Sequence, residues 1–531
     1  MKKIKVFLIA AFVSSSSLYA QTIQDGLKAL DNDQFAKAKS IFQSMLTGKP
    51  EVSAEAYYHL AGCYFKTEKK DSAEIVVNKM MTAFPANPLS KVALGRLALA
   101  NKNQNAAKAA FDEALKISIN KDAKVMQYIA EAYLTAEDPD GPAALQALTP
   151  ATKIDAKNPE LCILTGDAYK LDQSAGGQAV TNYEKVLDMN VLQAKANQRI
   201  GVIYTQARNF QSSSDAFEKS LAADANYAPA YRDYAMLNYN FKRFQKAREL
   251  YEKYLSMADT TELSLTRYVY ILFLVKDYQK ATDEINELKK MDASNNLLNR
   301  LLAYSYSEQK KDSIGLIYMN LFLSRADSSK IIPLDYKYYG HMLSQTGQDS
   351  LGILYLRKAL AFDSTDVDVL QDLGVALNRV KDYCGAAAVL QSKVNNSKTP
   401  SALDYYLLSK AYYFCKDYVN ADSAAIKIIE KKPDNYLGYF WRGRANSKLH
   451  PDTIDIAFPF YMQVTQISED TSKKAPDTKD LLEAYDVLST TYIQKDDKAN
   501  ARKALNRIIA LDPDDKYGYL KRAKDYLERL K

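Results

Sequence analysis

Two stretches of the sequence repeat each other at an interval of 35 residues: TIQDGLKALDNDQFAKAKSIFQSMLTGKP at 22–50 and YYHLAGCYFKTEKKDSAEIVVNKMMTAFP at 57–85. The small residues Gly26 and Ala38 of the first stretch become Ala61 and Ala73 in the second. Both stretches end in proline, which cannot continue a helical hydrogen-bond ladder. Self-similarity at a fixed period of this length is typical of repeat architectures.

The repeat continues along the whole chain. When the small residue at Gly26 is numbered position 8 of a unit, the same position recurs fourteen times, mostly at intervals of 34 to 37 residues. It falls at Gly26, Ala61, Gly95, Ala130, Gly166, Gly201, Ala235, Val269, Ala303, Gly340, Gly374, Ser409, Gly443 and Ser489. The last interval is longer, at 46 residues, and contains a polar stretch.

This pattern resembles the tetratricopeptide repeat, a helix–turn–helix unit of 34 residues with small residues at positions 8 and 20 and a large one at 24. The resemblance covers nearly all of residues 21–531 and implies an all-α, right-handed superhelical solenoid of about fourteen units. We predict a signal peptide at 1–20, thirteen repeats at 21–465 and a polar connection at 466–479. The final repeat and a C-terminal capping helix are predicted at 480–531.

The composition agrees with a long helical protein. Only 18 of the 531 residues are Gly and 15 are Pro, whereas 47% are hydrophobic and 25% are charged. These values exclude collagen-like and disordered classes. The net charge of +7 does not indicate a nucleic-acid binder. The 39 tyrosines are partly explained by the repeat, which places many of them at packing positions 4 and 11.

The first twenty residues have the pattern of a secretory signal peptide. Lys2, Lys3 and Lys5 precede a short apolar run, and Leu18-Tyr19-Ala20 predicts cleavage after Ala20. A retained N-terminal anchor is the alternative. Because no cysteine follows the apolar run, a lipoprotein is not indicated. We therefore expect an exported protein of the periplasm or cell envelope, without a transmembrane segment after cleavage.

Four cysteines do not make a disulfide scaffold. Cys63 and Cys162 lie in apolar helical patterns and are interpreted as small buried residues. The repeat register places Cys384 and Cys415 near the inter-helix turns of neighbouring repeats, and in an exported protein such a pair can form a disulfide.

No catalytic or metal-binding motif accompanies the repeat. The three histidines are His59, His341 and His450, which lie in different repeats, and no HExxH, Cys-x-x-Cys or glycine-rich phosphate loop is found. The sequence therefore predicts a non-enzyme without a cofactor or metal.

Five sites carry Asp followed by Ser or Thr and an aliphatic residue, starting at Asp71, Asp312, Asp349, Asp422 and Asp452. The pattern is similar to an O-glycosylation acceptor of some exported bacterial proteins. We interpret these residues instead as caps at the starts of second helices.

In this family, positions 5 and 9 of the first helix of each unit point into a concave groove. From the seventh repeat onward these positions hold cations interleaved with aromatic residues, an arrangement suited to extended peptides with acidic or aromatic side chains. The predicted groove residues are Tyr58, Arg232, Tyr270, Arg300, Tyr304, Lys337, Tyr406, Lys410, Phe440 and Arg444. The alternative is that they are amphipathic cover without a ligand.

The function predicted from these features is a non-catalytic scaffold that binds protein partners or extended peptide segments in the bacterial cell envelope. An accessory part of a secretion or surface-assembly machine is a narrower form of this hypothesis. The alternative is a glycan- or cell-wall-polymer-binding protein that stacks sugar rings on the aromatic residues of the groove.

Overall fold

The computed structural model describes residues 22–48, 53–67, 69–470 and 475–530. The predicted signal peptide lies outside these residues. Within them the chain forms α-helices, three short 3-10 turns and no strand. The chain divides into two compact units, Met1–Met291 and Asp292–Lys531.

The helices of the first unit are α1 (Ile23–Asp31), α2 (Phe35–Gly48), α3 (Ala54–Lys66), α4 (Lys70–Ala83), α5 (Pro88–Ala100), α6 (Gln104–Ile117), α7 (Ala123–Leu134), α8 (Gly141–Ile154), α9 (Pro159–Tyr169), α10 (Gly176–Asp188), α11 (Gln193–Gln206), α12 (Phe210–Ala223), α13 (Ala228–Asn240), α14 (Phe244–Leu255), α15 (Glu262–Leu274) and α16 (Tyr278–Met291). Those of the second unit are α17 (Leu297–Glu308), α18 (Asp312–Arg325), α19 (Pro333–Gln345), α20 (Asp349–Leu360), α21 (Val367–Arg379), α22 (Tyr383–Asn396), α23 (Ala402–Phe414), α24 (Tyr418–Lys431), α25 (Tyr436–Leu449), α26 (Phe458–Glu469), α27 (Thr478–Gln494), α28 (Lys498–Leu511) and α29 (Leu520–Arg529).

The helices pack as consecutive pairs, α1 with α2, α3 with α4 and so on to α27 with α28. Every residue predicted at position 8 lies in the first helix of its pair. Helix α29 follows the last pair and buries Leu520 and Ala523 against it. The predicted all-helical repeat solenoid, with fourteen helix pairs and a capping helix, is therefore confirmed for the described residues.

The turn within a pair has a recurring backbone conformation. Lys102 and Lys416, at position 15 of their units, have positive φ angles of 58° and 67°. This left-handed residue ends the first helix, and the N–H of the next residue returns to a carbonyl five residues earlier, as in Asn103 N to Ala98 O at 2.9 Å. The side chain of that next residue caps the second helix, since Asn103 Oδ1 accepts the N–H of Ala106 at 3.0 Å.

Glycine at position 8 makes room for a large residue of the second helix. A Cβ atom on Gly95 would lie 2.3 Å from Cε1 of Phe111, and one on Gly166 would lie 2.4 Å from Cε1 of Tyr183. Phe111 and Tyr183 are both buried. The small residue and the facing ring therefore form one packing unit.

Gly95→Ala is expected to destabilise the first unit by about 1–3 kcal/mol, because the Phe111 ring must move in a filled core. Gly177→Ala is the matched control, since its Cβ atom meets nothing within 4 Å in helix α10. The control is expected to stabilise by up to about 1 kcal/mol through helix propensity. Thermal unfolding of the two variants measures the difference, and equal midpoints would show that the close approach is not required.

The residues around the predicted polar connection are helical at both ends. Helix α26 extends to Glu469, and α27 begins at Thr478. The division of the chain into domains at 466 and 480 stays a prediction.

The predicted helix caps are wrong at Asp71, Asp312, Asp349 and Asp422. The first three are the first or second residue of α4, α18 and α20, and none of these helices has a side-chain capping hydrogen bond. Asp422 lies within α24 rather than at its start, and its carboxylate accepts hydrogen bonds from Arg442 Nε at 2.9 Å and Asn446 Nδ2 at 2.8 Å. It is a tertiary contact between α24 and α25.

Candidate functional site

Three of the predicted groove residues are buried rather than exposed. Tyr58, Tyr304 and Phe440 are 1%, 4% and 1% exposed, so their rings are not available to a ligand. The reason is that the first helices of following repeats pack closely enough to cover each of these side chains. The Tyr58 hydroxyl, for example, donates to the carbonyl of Tyr128 two repeats later, at 3.2 Å.

Three of the four predicted cations of the second unit, Arg300, Lys337 and Arg444, are neutralised by the following repeat. Arg300 forms two hydrogen bonds with the Asp335 carboxylate, from Nε at 2.9 Å and Nη2 at 2.8 Å. Lys337 donates to Asp366 at 2.9 Å. These ion pairs hold successive first helices together, and they leave the cations without free capacity for an acidic peptide.

Arg444 is paired in the same way. Its guanidinium binds the Glu483 carboxylate and lies over the rings of Phe440 and Trp441, with centroid distances of 4.5 and 5.0 Å. The prediction of a free basic groove for acidic peptides in the second unit is therefore wrong at these three cations. Sequence reasoning missed the acidic partners, which stand near the start of the next first helix.

The other predicted residues have different surroundings. Arg232 binds Asp33 and Asp233. Tyr270 is 42% exposed. Among the residues that the structure describes, Lys410 is half-buried and makes no ion pair, and Tyr406 is half-buried. Of the five aromatic residues predicted to line the groove, Tyr270 and Tyr406 are thus the two that keep an accessible surface.

Tyr406 lies in an open cavity of about 400 Å³ in the second unit. The cavity is bordered by α23, the α24–α25 connection, α25 and the start of α27, and its lining includes Leu403, Tyr436, Asp477 and Asp480. The sequence did not indicate Tyr436 or Asp480, because the register places them at unrelated positions of different repeats. They come together only through the packing of three successive first helices.

Asp480 is a partly buried carboxyl group in the lining of this cavity. Its carboxylate accepts a hydrogen bond from the Tyr436 hydroxyl at 3.2 Å, and within the described part of the chain it forms no ion pair. Burial raises the pKa of the Asp480 carboxyl above its ordinary value, and the positive charge of Arg444 opposes this shift only in part. A cation that entered the cavity would relieve this cost and meet two tyrosine rings.

A disulfide joins Cys384 and Cys415, whose Cα atoms are 4.9 Å apart. Cys384 is the second residue of α22 and Cys415 caps the end of α23. The bond therefore links two neighbouring repeats beside the cavity-forming helix α23. Cys63 and Cys162 are free and buried.

Family models for the tetratricopeptide repeat match the chain at residues 29–97, 199–260 and 482–515. The C-terminal part of a TPR repeat-containing protein from Cytophaga hutchinsonii is 30% identical, with a TM-score of 0.40, and the match covers 49% of this chain and 98% of that one. The chain belongs to the tetratricopeptide repeat family. No curated protein is significantly similar to it.

Two further solved structures are similar to this tetratricopeptide repeat protein. The Cut9–Hcn1 hetero-tetramer of APC/C is 15% identical with a TM-score of 0.35, and the match covers 88% of this chain and 94% of that chain. YrrB, described as a TPR protein with an unusual peptide-binding site, is 16% identical with a TM-score of 0.30, and the match covers 36% and 92%.

Tetratricopeptide repeats support a general role as a scaffold for protein–protein interaction, and the fold is generally non-catalytic. In the described residues, no group of three or more His, Cys, Asp or Glu side chains is placed to hold a metal ion. Nor does any helix in the described ranges have the length and hydrophobicity needed to cross a membrane.

Two histidines of this repeat protein are expected to give opposite pH dependences. Burial lowers the pKa of His59 to about 3, so only the unfolded chain is protonated between that value and pH 6.5. Stability of the first unit should therefore fall as the pH drops through this range, by at most about 1.4 kcal/mol per pH unit. The Asp372 carboxylate accepts a hydrogen bond from His341 and raises the pKa of the imidazole, so the contribution of His341 to stability is present below pH 6.5 and is lost as the pH rises through the folded-state pKa.

Thermal unfolding of His59→Phe and His341→Gln between pH 4 and 8 tests both signs. Between pH 8 and pH 4, His59→Phe should lose less stability than the wild type. His341→Gln should be less stable than the wild type at pH 5 but nearly as stable at pH 8. Parallel pH profiles for the two variants would contradict the assignment.

Proposed function

We propose that this protein is an exported, non-catalytic scaffold of the bacterial cell envelope that holds extended segments of protein partners. The open cavity around Tyr406 and Asp480 carries the proposal. It combines an accessible aromatic wall with a carboxylate that forms no direct ion pair in the described residues, although Arg444 lies near enough to act on it and Lys432 also lines the cavity. The side chain that fits is a lysine or arginine of a partner, held by charge and by cation–π contact.

Two features support an exported protein. The N-terminal residues have the pattern of a cleaved signal peptide. The Cys384–Cys415 disulfide is of a kind that persists in oxidising compartments and is rare in the bacterial cytosol. The N-terminal sequence of the mature protein from the periplasmic fraction is expected to begin at Gln21. A full-length chain recovered from the cytosol would contradict export.

Site-specific photocrosslinking in intact cells tests whether a protein partner binds at the cavity. A photoreactive residue replaces Leu403, which is 56% exposed at the cavity. The matched control replaces Val419, which is 62% exposed on α24 of the same repeat. We expect a protein adduct at position 403 that is absent at 419. The adduct should be lost when Asp480→Asn and Tyr406→Ala are introduced together.

Equal adducts at both positions, or an adduct at 403 that survives the double substitution, would refute the cavity as the binding site. Identification of the adducts also tests the accessory role in a secretion or surface-assembly machine, which requires a component of such a machine among them. Failure of both positions to capture any protein would refute the scaffold proposal itself.

The burial of three predicted groove rings argues against the glycan-binding alternative. It depended on a row of exposed rings, and Tyr58, Tyr304 and Phe440 are buried. Tyr270 and Tyr406 belong to different units, so they do not form a continuous stacking platform within either one. We therefore do not propose this function.

A further inference from the structure

The turn between α1 and α2 is docked against distant repeats of its own unit. Residues 31–34 contact helices α11, α13 and α14 and the loop after α14, from which they are separated by 164 to 223 residues of sequence. No local feature of the sequence indicates this contact. It goes beyond the proposed function, which concerns a cavity of the second unit.

The two aspartates of the turn each meet a cation. The Asp31 carboxylate accepts a hydrogen bond from Lys195 Nζ at 3.2 Å. The Asp33 carboxylate accepts one from Arg232 Nη1 at 2.6 Å and another from the Tyr254 hydroxyl at 3.2 Å. Two acidic groups separated by one residue are thus recognised by three different helices.

The uncharged residues of the turn are recognised as well. Asn32 is 8% exposed, and its Oδ1 accepts the backbone N–H of Ala228 at 3.1 Å. Gln34 donates from Nε2 to the carbonyl of Met257 at 2.9 Å. Every side chain from residue 31 to residue 34 is therefore bonded to the distant repeats.

The backbone of the turn is held by a single residue of the loop after α14. The N–H of Asp259 donates to the carbonyl of Asp33 at 3.0 Å. Its carboxylate accepts the N–H of Ala36 at 2.6 Å. This pair of bonds fixes the direction of the docked segment, because a reversed chain would present an N–H where the site offers another N–H.

Together these contacts define an acidic-turn site, formed by Lys195, Ala228, Arg232, Tyr254 and Asp259. With the turn removed, five donors would converge on one place: an ammonium, a guanidinium N–H, a hydroxyl and two backbone N–H groups. Each cation already has one carboxylate of the array, since Lys195 binds Glu160 and Arg232 binds Asp233. Lys195 and Arg232 therefore each have N–H groups left to bind one further carboxylate.

The docked turn is held mainly by polar contacts at a partly open surface. The side chain of Asp31 is 41% exposed, so its ion pair contributes little to stability, whereas Asp33 is 17% exposed and holds the turn more firmly. All of these contacts are made to carboxylate, amide and backbone groups that another acidic segment also carries. A segment with the same acidic pattern is therefore able to compete for the site.

We propose that the acidic-turn site is a second protein-binding site, which recognises an Asp-x-Asp segment of a partner and is occupied in this structure by the chain's own α1–α2 turn. The first repeat then acts as an internal competitor. A partner with a higher local concentration or a better match displaces it.

The probe is a fluorescent peptide with the sequence of residues 27–38, LKALDNDQFAKA, added to the mature full-length chain. Its anisotropy is measured with the wild type and with Asp31→Asn/Asp33→Asn, which weakens the internal turn but keeps its shape. We expect the variant to bind the peptide at least tenfold more tightly than the wild type. Adding Lys195→Gln/Arg232→Gln should abolish this binding, whereas the exposed pair Lys246→Gln/Lys253→Gln on α14 should not.

Hydrogen exchange keeps the test decisive if peptide binding is weak. In Asp31→Asn/Asp33→Asn, the amides of residues 29–38 should exchange faster, while those of α11–α14 stay protected and so report a folded site. A peptide in which both aspartates are asparagine should not bind. Equal peptide affinity of wild type and variant, or unchanged exchange at residues 29–38, would overturn the proposal.

Discussion

Replacing Cys384 and Cys415 by serine is expected to lower the stability of the second unit by about 3–4 kcal/mol. The disulfide closes a loop with a sequence separation of 31 residues, and the chain-entropy model gives a loss of this size when such a loop is opened. The effect should be local, because repeat arrays gain their stability from each repeat and its immediate neighbours. Hydrogen exchange of peptides from α21–α24 should accelerate, whereas peptides from α11–α14 should not change.

Reduction of the wild type provides a control without substitution. Dithiothreitol should reproduce the accelerated exchange in α21–α24 and have no further effect on the double serine variant. The free thiols of Cys63 and Cys162 are buried in the first unit and should not respond. Acceleration spread evenly over both units would show that the disulfide does not act through its own repeats.

The repeat spacing was sufficient to predict the fold. Position 8 recurs at a nearly constant interval, and each unit needs only local information: a small residue, a left-handed turn residue such as Lys416, and a capping residue such as Asp417. These features are encoded within about 34 residues of each other. The helix pairs could therefore be counted and placed from the sequence.

The candidate site was much less predictable, because it depends on how one repeat meets the next. The sequence register places Arg300 and Tyr304 on the concave side, but it does not say how near the following first helix lies. In the structure that helix brings Asp335 to both side chains and buries them. The sequence signal for these ion pairs is an acidic residue near the start of the next first helix, such as Asp335 for Arg300 and Asp366 for Lys337.

The docking of Asp33 against Arg232 is a different case. The two residues are 199 positions apart, and their contact follows from the accumulated curvature of the intervening repeats. Small differences in helix packing add up over six units, so no pattern in the sequence predicts which residues meet. Only the structure provides this contact.

Asp335→Ala is expected to destabilise the second unit by about 3–5 kcal/mol, because it leaves the guanidinium of Arg300 buried without its partner. Asp335 is 1% exposed and accepts four hydrogen bonds: two from Arg300, one from the Tyr304 hydroxyl at 2.6 Å and one from the backbone N–H of Ile332 at 2.8 Å. Urea unfolding, with hydrogen exchange of α17–α20, measures the loss. Glu430→Ala is the control, since its ion pair with Lys427 is half-exposed and should cost less than about 1 kcal/mol.

The double variant Arg300→Met/Asp335→Leu separates a structural from a ligand-binding role. Replacing both buried charges by apolar residues should restore most of the stability lost in Asp335→Ala, since neither charge is then left unpaired. If Arg300 only holds repeats together, this variant should still give the photocrosslinked adduct at position 403. A stable variant that has lost the adduct would instead mean that Arg300 contacts the partner, and that the ion pair with Asp335 is exchanged for one with the ligand on binding.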